Sequence, residues 1–181
     1  QEKKEDFKFA VKYDFSLNKI DASLSFVEYG KHQQFGYDIS YGGSSFTLYS
    51  EGVIKNFTKS YRVFDDGSLI YPEIEKKSFK PEIIVGSTIL FNSNISFTGE
   101  YRFRGDYLNK KEIDLYKRYL PSNMEVYDPI SVGKHTIFVN AEYKDTYNRW
   151  SANLRSFYDP ISDQLVLSPL GTFSQNNFQI E

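Results

Sequence analysis

The sequence predicts an all-β protein, an antiparallel up-and-down β-barrel of about eight to ten strands with one short helix set in a long loop. Three observations predict it. Apolar and polar residues alternate with a period of two along most of the chain, the best alternating runs cover roughly 9 to 12 residues, and tight turns contrast with two long excursions.

The first run is the cleanest: Phe7, Phe9, Val11, Tyr13, Phe15 and Leu17 alternate with Lys8, Ala10, Lys12, Asp14, Ser16 and Asn18. A helix cannot place that pattern on one side, whereas a strand does so automatically. After Lys19 the pattern resumes with Ile20, Ala22, Leu24 and Phe26, then, past a polar connection, with Phe35, Tyr37, Ile39 and Tyr41. Gly42-Gly43-Ser44 leads to Phe46, Leu48 and a stretch reaching Phe57. Asp65-Asp66-Gly67-Ser68 predicts a hairpin between Tyr61–Val63 and Leu69–Tyr71, because Asp and Gly accept the positive φ of a tight turn. Beyond Pro81, Ile83 to Phe91 and Ile95 to Phe103 flank Asn92-Ser93-Asn94 as a second hairpin.

Helical periodicity occurs once, from Asn109 to Leu120, where Ile113, Leu115, Tyr116, Tyr119 and Leu120 share one side and Pro121 ends the run. Glu112 is the lone charge on that side. The helix lies in a long excursion between Arg104 and Gly133. Strands resume at His135 to Tyr143, Trp150 to Leu154, Leu165 to Leu167 and Phe178 to Ile180. Tyr127-Asp128-Pro129-Ile130-Ser131 recurs as Tyr158-Asp159-Pro160-Ile161-Ser162, which reads as repeated turn chemistry.

The chain has 181 residues, consistent with a single domain over 1–181, either a whole barrel or part of one. An aromatic content of 18% argues against disorder, and no apolar run is long enough for a spanning helix. Lys and Arg (22) nearly balance Asp and Glu (24), and the basic pairs Lys76-Lys77 and Lys110-Lys111 stand beside Glu75 and Glu112. A phosphate-tracking surface needs a local basic excess, so nucleic acid is not expected as a partner. With no cysteine there is no disulfide framework, thiolate metal site or thiol nucleophile. The charged lead-in Gln1 to Asp6 suits a processed N-terminus.

Alternation alone does not say whether the apolar side points inward, as in a soluble barrel or sandwich, or outward into lipid. Strand length favours lipid, as do the aromatics near strand ends: Tyr13, Phe15, Phe26, Tyr29, Tyr101, Phe103, Tyr143, Tyr147 and Trp150. In these respects the chain resembles small bacterial outer-membrane β-barrel proteins. That resemblance implies a lipid bilayer as partner, an outer-membrane location and a narrow lumen where Lys12, Asp14, Asp38, Glu100, Arg102, Glu142 and Arg155 form a charge network. It also implies a structural or binding role exercised through the long loops, as a component of a larger outer-membrane assembly. The chain ends Phe178-Gln179-Ile180-Glu181 and not on the aromatic residue usual in that class, so a partial barrel is among the expectations. The competing expectation is a secreted or periplasmic soluble β-sandwich that binds glycan or protein through exposed Tyr and Trp150.

No catalytic constellation is expected. His32 and His135 lack a second ligand at useful spacing, and His135 with Glu142 and Ser131 or Ser151 fails as a triad because alternation sends His135 and Glu142 to opposite faces. Asp65-Asp66 and Glu73 with Glu75 read as turn and loop acids, and Gly42-Gly43 lacks the Lys and helix of a phosphate loop. Neither a cofactor nor a metal is expected. Arg104-Gly105-Asp106 spells an adhesion tripeptide, and Asn56-Phe57-Thr58 and Asn94-Ile95-Ser96 fit the glycosylation sequon. Arg104, Asp106, Tyr107, Tyr116 and Tyr119 are the candidate binding residues, in a 104–133 loop with the composition of a protein interface.

Overall fold

The computed structural model describes residues 8–56, 62–63, 69–70, 79–91, 94–119, 133–145, 149–175 and 178–180. Its strands are β1 (Lys8–Leu17), β2 (Ile20–Tyr29), β3 (His32–Gly42), β4 (Phe46–Lys55), β5 (Arg62–Val63), β6 (Leu69–Ile70), β7 (Lys80–Leu90) and β8 (Ile95–Arg104). After helix α1 (Lys110–Tyr119) come β9 (His135–Lys144), β10 (Trp150–Asp159), β11 (Gln164–Gln175) and β12 (Phe178–Ile180). All but β5 and β6 form one antiparallel sheet in the order β1-β2-β3-β4-β7-β8-β9-β10-β11-β12, so chain neighbours are sheet neighbours apart from the excursion that holds β5 and β6. β5 and β6 pair with each other, Arg62 opposite Ile70 and Val63 opposite Leu69. That pairing fits the expected hairpin, whose turn residues 65–68 lie outside the described residues, as do 92–93, 127–131 and the acids Glu73 and Glu75.

The strands are those the alternation predicts, but the expected closure into a barrel is absent: the sheet is open, with β1 and β12 at opposite edges. Direction is one reason. Counting along the up-and-down order, β1 and β11 run the same way, so the two long edge strands cannot meet as an antiparallel pair, and β12 is short.

Register sorts the side chains. Tyr13 pairs with Leu24, Leu24 with Tyr37, Tyr37 with Gly52, Gly52 with Ile83 and Ile83 with Phe103, and cross-strand partners share a face. Following every pair across the sheet gives one face of Phe, Tyr, Ile, Leu, Val, Ala and Pro with a few Ser, Gly, Gln and one His. Glu28, at the end of β2, is its single charged residue in the nine long strands. Lys8, Lys12, Asp14, Asp21, Asp38, Glu51, Lys55, Glu82, Glu100, Arg102, Arg104, Glu142 and Arg155 occupy the other face.

Connections sort by end. The β1–β2, β3–β4, β7–β8, β9–β10 and β11–β12 turns lie at one end and all are short; the excursions 56–79 and 105–134 lie at the other, with the tight turns after Tyr29 and Asp159. Gly30 (φ 57°) and Asn18 (φ 56°) supply the left-handed residues of two tight turns. At the β9–β10 turn, Asp145 Oδ1 accepts the N–H groups of Arg149 (2.5 Å) and Trp150 (3.1 Å).

Glycines are matched to tyrosines. A Cβ on Gly52 would collide with the Tyr37 ring on the apolar face, and one on Gly86 with the Tyr49 ring on the polar face, so each ring lies flat over the gap its neighbour leaves. β11 is longer than the Leu165 to Leu167 run suggested, because it continues through Pro169 and Gly171.

Candidate functional site

Helix α1 begins with a reciprocal cap. Asn109 Oδ1 accepts the Glu112 N–H (3.1 Å), while Glu112 Oε2 accepts the Asn109 N–H (2.7 Å), satisfying two donors that a helix start leaves orphaned. This explains why a glutamate intrudes on the apolar stripe: its carboxylate is turned back to the cap. Ile113, one turn on, is buried, as is Leu108 just before the helix. Tyr116 and Tyr119 fall on the helix backbone, and their side chains lie outside the described residues.

At the mouth of the 105–134 excursion the polar face carries a cluster of five charged residues. Glu82 Oε1 takes the Arg102 Nε (2.9 Å) and its Nη2, and lies 3.7 Å from Arg104 Nε; Glu82 Oε2 is 3.4 Å from Lys55 Nζ. Lys55 Nζ also reaches Asp106 Oδ2 at 3.0 Å. Register makes the cluster: Glu82 lies opposite Arg104 and beside Val53, and Arg102 follows opposite Ile84. Arg104 and Asp106 are 8% and 2% exposed, and the Arg104 guanidinium sits 4.1 Å from the Tyr107 ring centre. The structure therefore places Arg104, Asp106 and Tyr107 together, but turns the two charges of the Arg104-Gly105-Asp106 tripeptide inward and leaves neither displayed. Gly105 between them donates to Pro81 O (2.7 Å), and a Cβ there would press on that same oxygen.

A second anchor is Asp159, 1% exposed, at the start of the β10–β11 turn. Its Oδ2 accepts the Gly133 N–H (2.8 Å) and its Oδ1 accepts those of Ile161 (2.9 Å) and Ser162 (3.2 Å). The turn acid of the Tyr-Asp-Pro-Ile-Ser sequence thus ties the end of the long excursion to the neighbouring turn. Asp159→Ala is expected to cost about 2 kcal/mol, since three donors, two of them buried, lose a charged acceptor. Asp159→Asn should recover part of that loss, and the urea midpoint with hydrogen exchange at the Gly133 amide measures both.

Other polar-face charges meet in local pairs. Lys12 pairs with Asp14 at 2.7 Å with both side chains largely exposed, Tyr49 O–H donates to Glu100, and Glu142 is 3.0 Å from Lys144. Asp38 lines two shallow troughs, one of about 590 Å³ with Lys12, Asp14 and Asp21, the other of about 330 Å³ with Glu51, Glu82 and Arg102. Arg155 lies between Asn140 and Ser168. The charged cluster at Glu82 and the Asp159 anchor were not found by alternation, which reports facing but not which charges meet.

His135 lies on the apolar face, its Nδ1 2.6 Å from the Tyr101 hydroxyl, while Glu142 is on the polar face. Asn56, the first residue of one sequon, uses its side chain in a loop: Oδ1 accepts the Gln33 N–H (2.8 Å) and Nδ2 donates to Lys31 O (3.1 Å).

Among the described residues no second sheet or helix lies over the apolar face, and Phe79, just before β7, meets Phe35 on it. Among the described residues the buried apolar side chains are Leu108 and Ile113, neither in a strand, and each strand of the large sheet touches only its sheet neighbours. Its aromatics fall in two bands. Near the long-excursion end stand Phe9, Phe26, Phe35, Tyr101, Phe103 and Tyr158; near the short-turn end stand Phe15, Tyr41, Phe46, Phe97, Tyr143, Trp150 and Phe173. Between them lie Leu24, Ile39, Val85, Val139, Ala141, Leu154 and Leu167, with Tyr13 and Tyr37 the aromatic exceptions. Ring contacts knit the bands, as in Phe26–Phe35 at 4.7 Å and Trp150–Phe173 at 4.4 Å. Among the described residues no helix is long and apolar enough to cross a membrane.

Fold and site together define an all-β chain built on one open antiparallel sheet with an uncovered apolar face and a charged one. No protein-family model matches the sequence, and no curated protein and no solved structure matches it.

Proposed function

We propose that the sheet is the wall of a bacterial outer-membrane β-barrel, its apolar face in lipid and its charged face toward the lumen, with a non-catalytic structural or binding role exercised through the long excursions. The observation that carries this reading is the face assigned by register: nine strands of about membrane-spanning length present one charge between them, at a strand end. A surface of that size, over which the described residues place no second layer, is not stable against water. Lipid supplies the missing layer. The two aromatic bands match the interfacial girdles of such barrels, whose amphipathic rings prefer the headgroup level.

The arrangement of connections supports a sided molecule. Both excursions leave from one end, where the buried charged cluster and Asp159 hold their bases while α1 is stapled by its own cap. Loops fixed at the root and projecting from a rigid wall are suited to engage a partner protein or to seat the barrel in a larger assembly. A soluble sandwich requires a second sheet on the apolar face, and among the described residues the only other strands are β5 and β6.

The test is detergent dependence. The chain is expected to aggregate when refolded in buffer alone, to become monodisperse in micelles, and to migrate faster unheated than boiled on a gel. A monodisperse, cooperatively unfolding protein without detergent would overturn the reading.

A further inference from the structure

The open edges carry information about how the sheet is completed. The bond from Gly42 N–H to Lys19 O (2.9 Å) fixes which backbone groups of β2 face β3. Alternation then leaves the N–H and C=O groups of Lys8, Ala10, Lys12, Asp14 and Ser16 on the free edge of β1. Every residue of β1 is exposed, and among the described residues no proline, bulge or covering loop blunts that edge, whose defences are the charges Lys8, Lys12 and Asp14.

The other side differs. The bond from Asp145 N–H to Trp150 O (2.9 Å) sets the alternation there, so Leu165, Leu167, Pro169 and Gly171 direct their backbones outward from β11. Pro169, lacking an N–H, is therefore tolerated in β11 because its missing donor costs nothing to the β10 ladder. At the far end of β11, Phe173 to Gln175 pair with β12, which leaves the N–H and C=O of Gln179 pointing outward.

Two constraints now select what can lie on β1. An antiparallel seam needs a strand that runs against β1 and turns polar-face backbones toward it; β11 runs the same way as β1, and β12 already covers its outer edge at Phe173 to Gln175. β12 satisfies both constraints, since it runs antiparallel to β1 and Gln179 shares the register position of Ser174 on the polar side.

Stagger gives the height of the seam. The hydrogen-bonding row that starts at Leu17, the last residue of β1, passes through Ile20, Tyr41, Leu48, Ser87, Gly99, Val139 and Ser156 to Leu167, near the start of β11. Such a steady drift is the shear a sheet needs to close on tilted strands. Aligning the short-turn ends of the first and last strands brings Gln179 level with Asp14 and Ser16.

We propose that the strand that closes the sheet runs in line with β12 along the outer edge of β1, with Gln179 opposite Asp14 or Ser16, so that the barrel seam joins the first and last strands antiparallel. This rests on the barrel reading and adds the seam's partners, direction and register.

Cysteine cross-linking tests it, and the chain has no cysteine to interfere. Gln179→Cys is combined in turn with Asp14→Cys, Ser16→Cys and Lys8→Cys, refolded in micelles and oxidised. A disulfide needs Cα atoms within about 7 Å, which adjacent strands satisfy and strands two apart, at roughly 10 Å, do not. The expected result is an intramolecular disulfide with Asp14→Cys or Ser16→Cys and none with Lys8→Cys. Ser174→Cys with Asp14→Cys is expected to stay reduced, and its oxidation would put β11 itself on β1 and overturn the seam. Links only between chains, or no link in a protein whose parent is folded and heat-modifiable, would overturn it too. If the parent folds without micelles, the membrane reading falls, and the same oxidations in buffer still decide the seam.

Discussion

Leu24→Arg is expected to destabilise the micelle-refolded protein by about 2–4 kcal/mol, the cost of a charge near the middle of a lipid-facing strand. Leu24 is central in β2, 57% exposed, and flanked across the sheet by Tyr13 and Tyr37. Among the described residues nothing lies over it, so the penalty reports what surrounds the sheet. In water an arginine at so open a position would be close to neutral. Ser25→Arg, one residue on and facing the charged side beside Lys12, should be mild. Urea titration in micelles, following the heat-modifiable band, measures both. Equal small effects would mean that the apolar face is not in lipid, whereas equal large effects would mean that the strand tolerates arginine on neither face.

Much of this architecture was legible before any coordinates, and the reason is the two-residue period of a strand. In β1 the pattern from Phe9 to Leu17 leaves no other way to segregate apolar from charged residues, and its register with β2 follows from a turn too short to slip. Helix α1 was legible from Ile113 and Leu115 and from Pro121, yet Glu112 looked misplaced until the Asn109 cap gave it a partner. β11 was read too short because Pro169 and Gly171 resemble a break, and only the direction of the backbone at Pro169 shows why the strand survives it. Closure was illegible for a different reason: whether two edges meet depends on strand count and shear, which are sums over the whole sheet that no local window contains. The candidate site divides in the same way. Lys12, Asp14, Asp38, Glu100, Arg102, Glu142 and Arg155 were placed on one face by alternation, but which of them pair depends on the register between β7 and β8 and on the loop that returns Asp106 to Lys55.

Glu82→Ala is expected to cost about 2–3 kcal/mol, because removing one partner from a largely buried ion-pair cluster leaves its opposites partly desolvated and uncompensated. Glu82 touches Arg102, Arg104 and Lys55, three cations on the two strands that flank β7, and without it they converge with Asp106 as the cluster's carboxylate. The attraction that now offsets their desolvation would become mutual repulsion in a place that salt screens poorly. Glu82→Gln keeps the shape and one acceptor oxygen and should fall between the two. Lys12→Ala, which breaks the exposed Lys12–Asp14 pair on the same face, is the comparison for a salt bridge that water already competes with, and is expected to change stability by less than about 1 kcal/mol. The loss in Glu82→Ala should be localised: Asp106 and Arg104 hold the root of the 105–134 excursion, so limited proteolysis ought to open that excursion while the β1–β4 hairpins keep their hydrogen-exchange protection. A uniform loss across the sheet would show that the cluster stabilises the wall as a whole, and an unchanged urea midpoint would show that its cations are solvated well enough to do without the carboxylate.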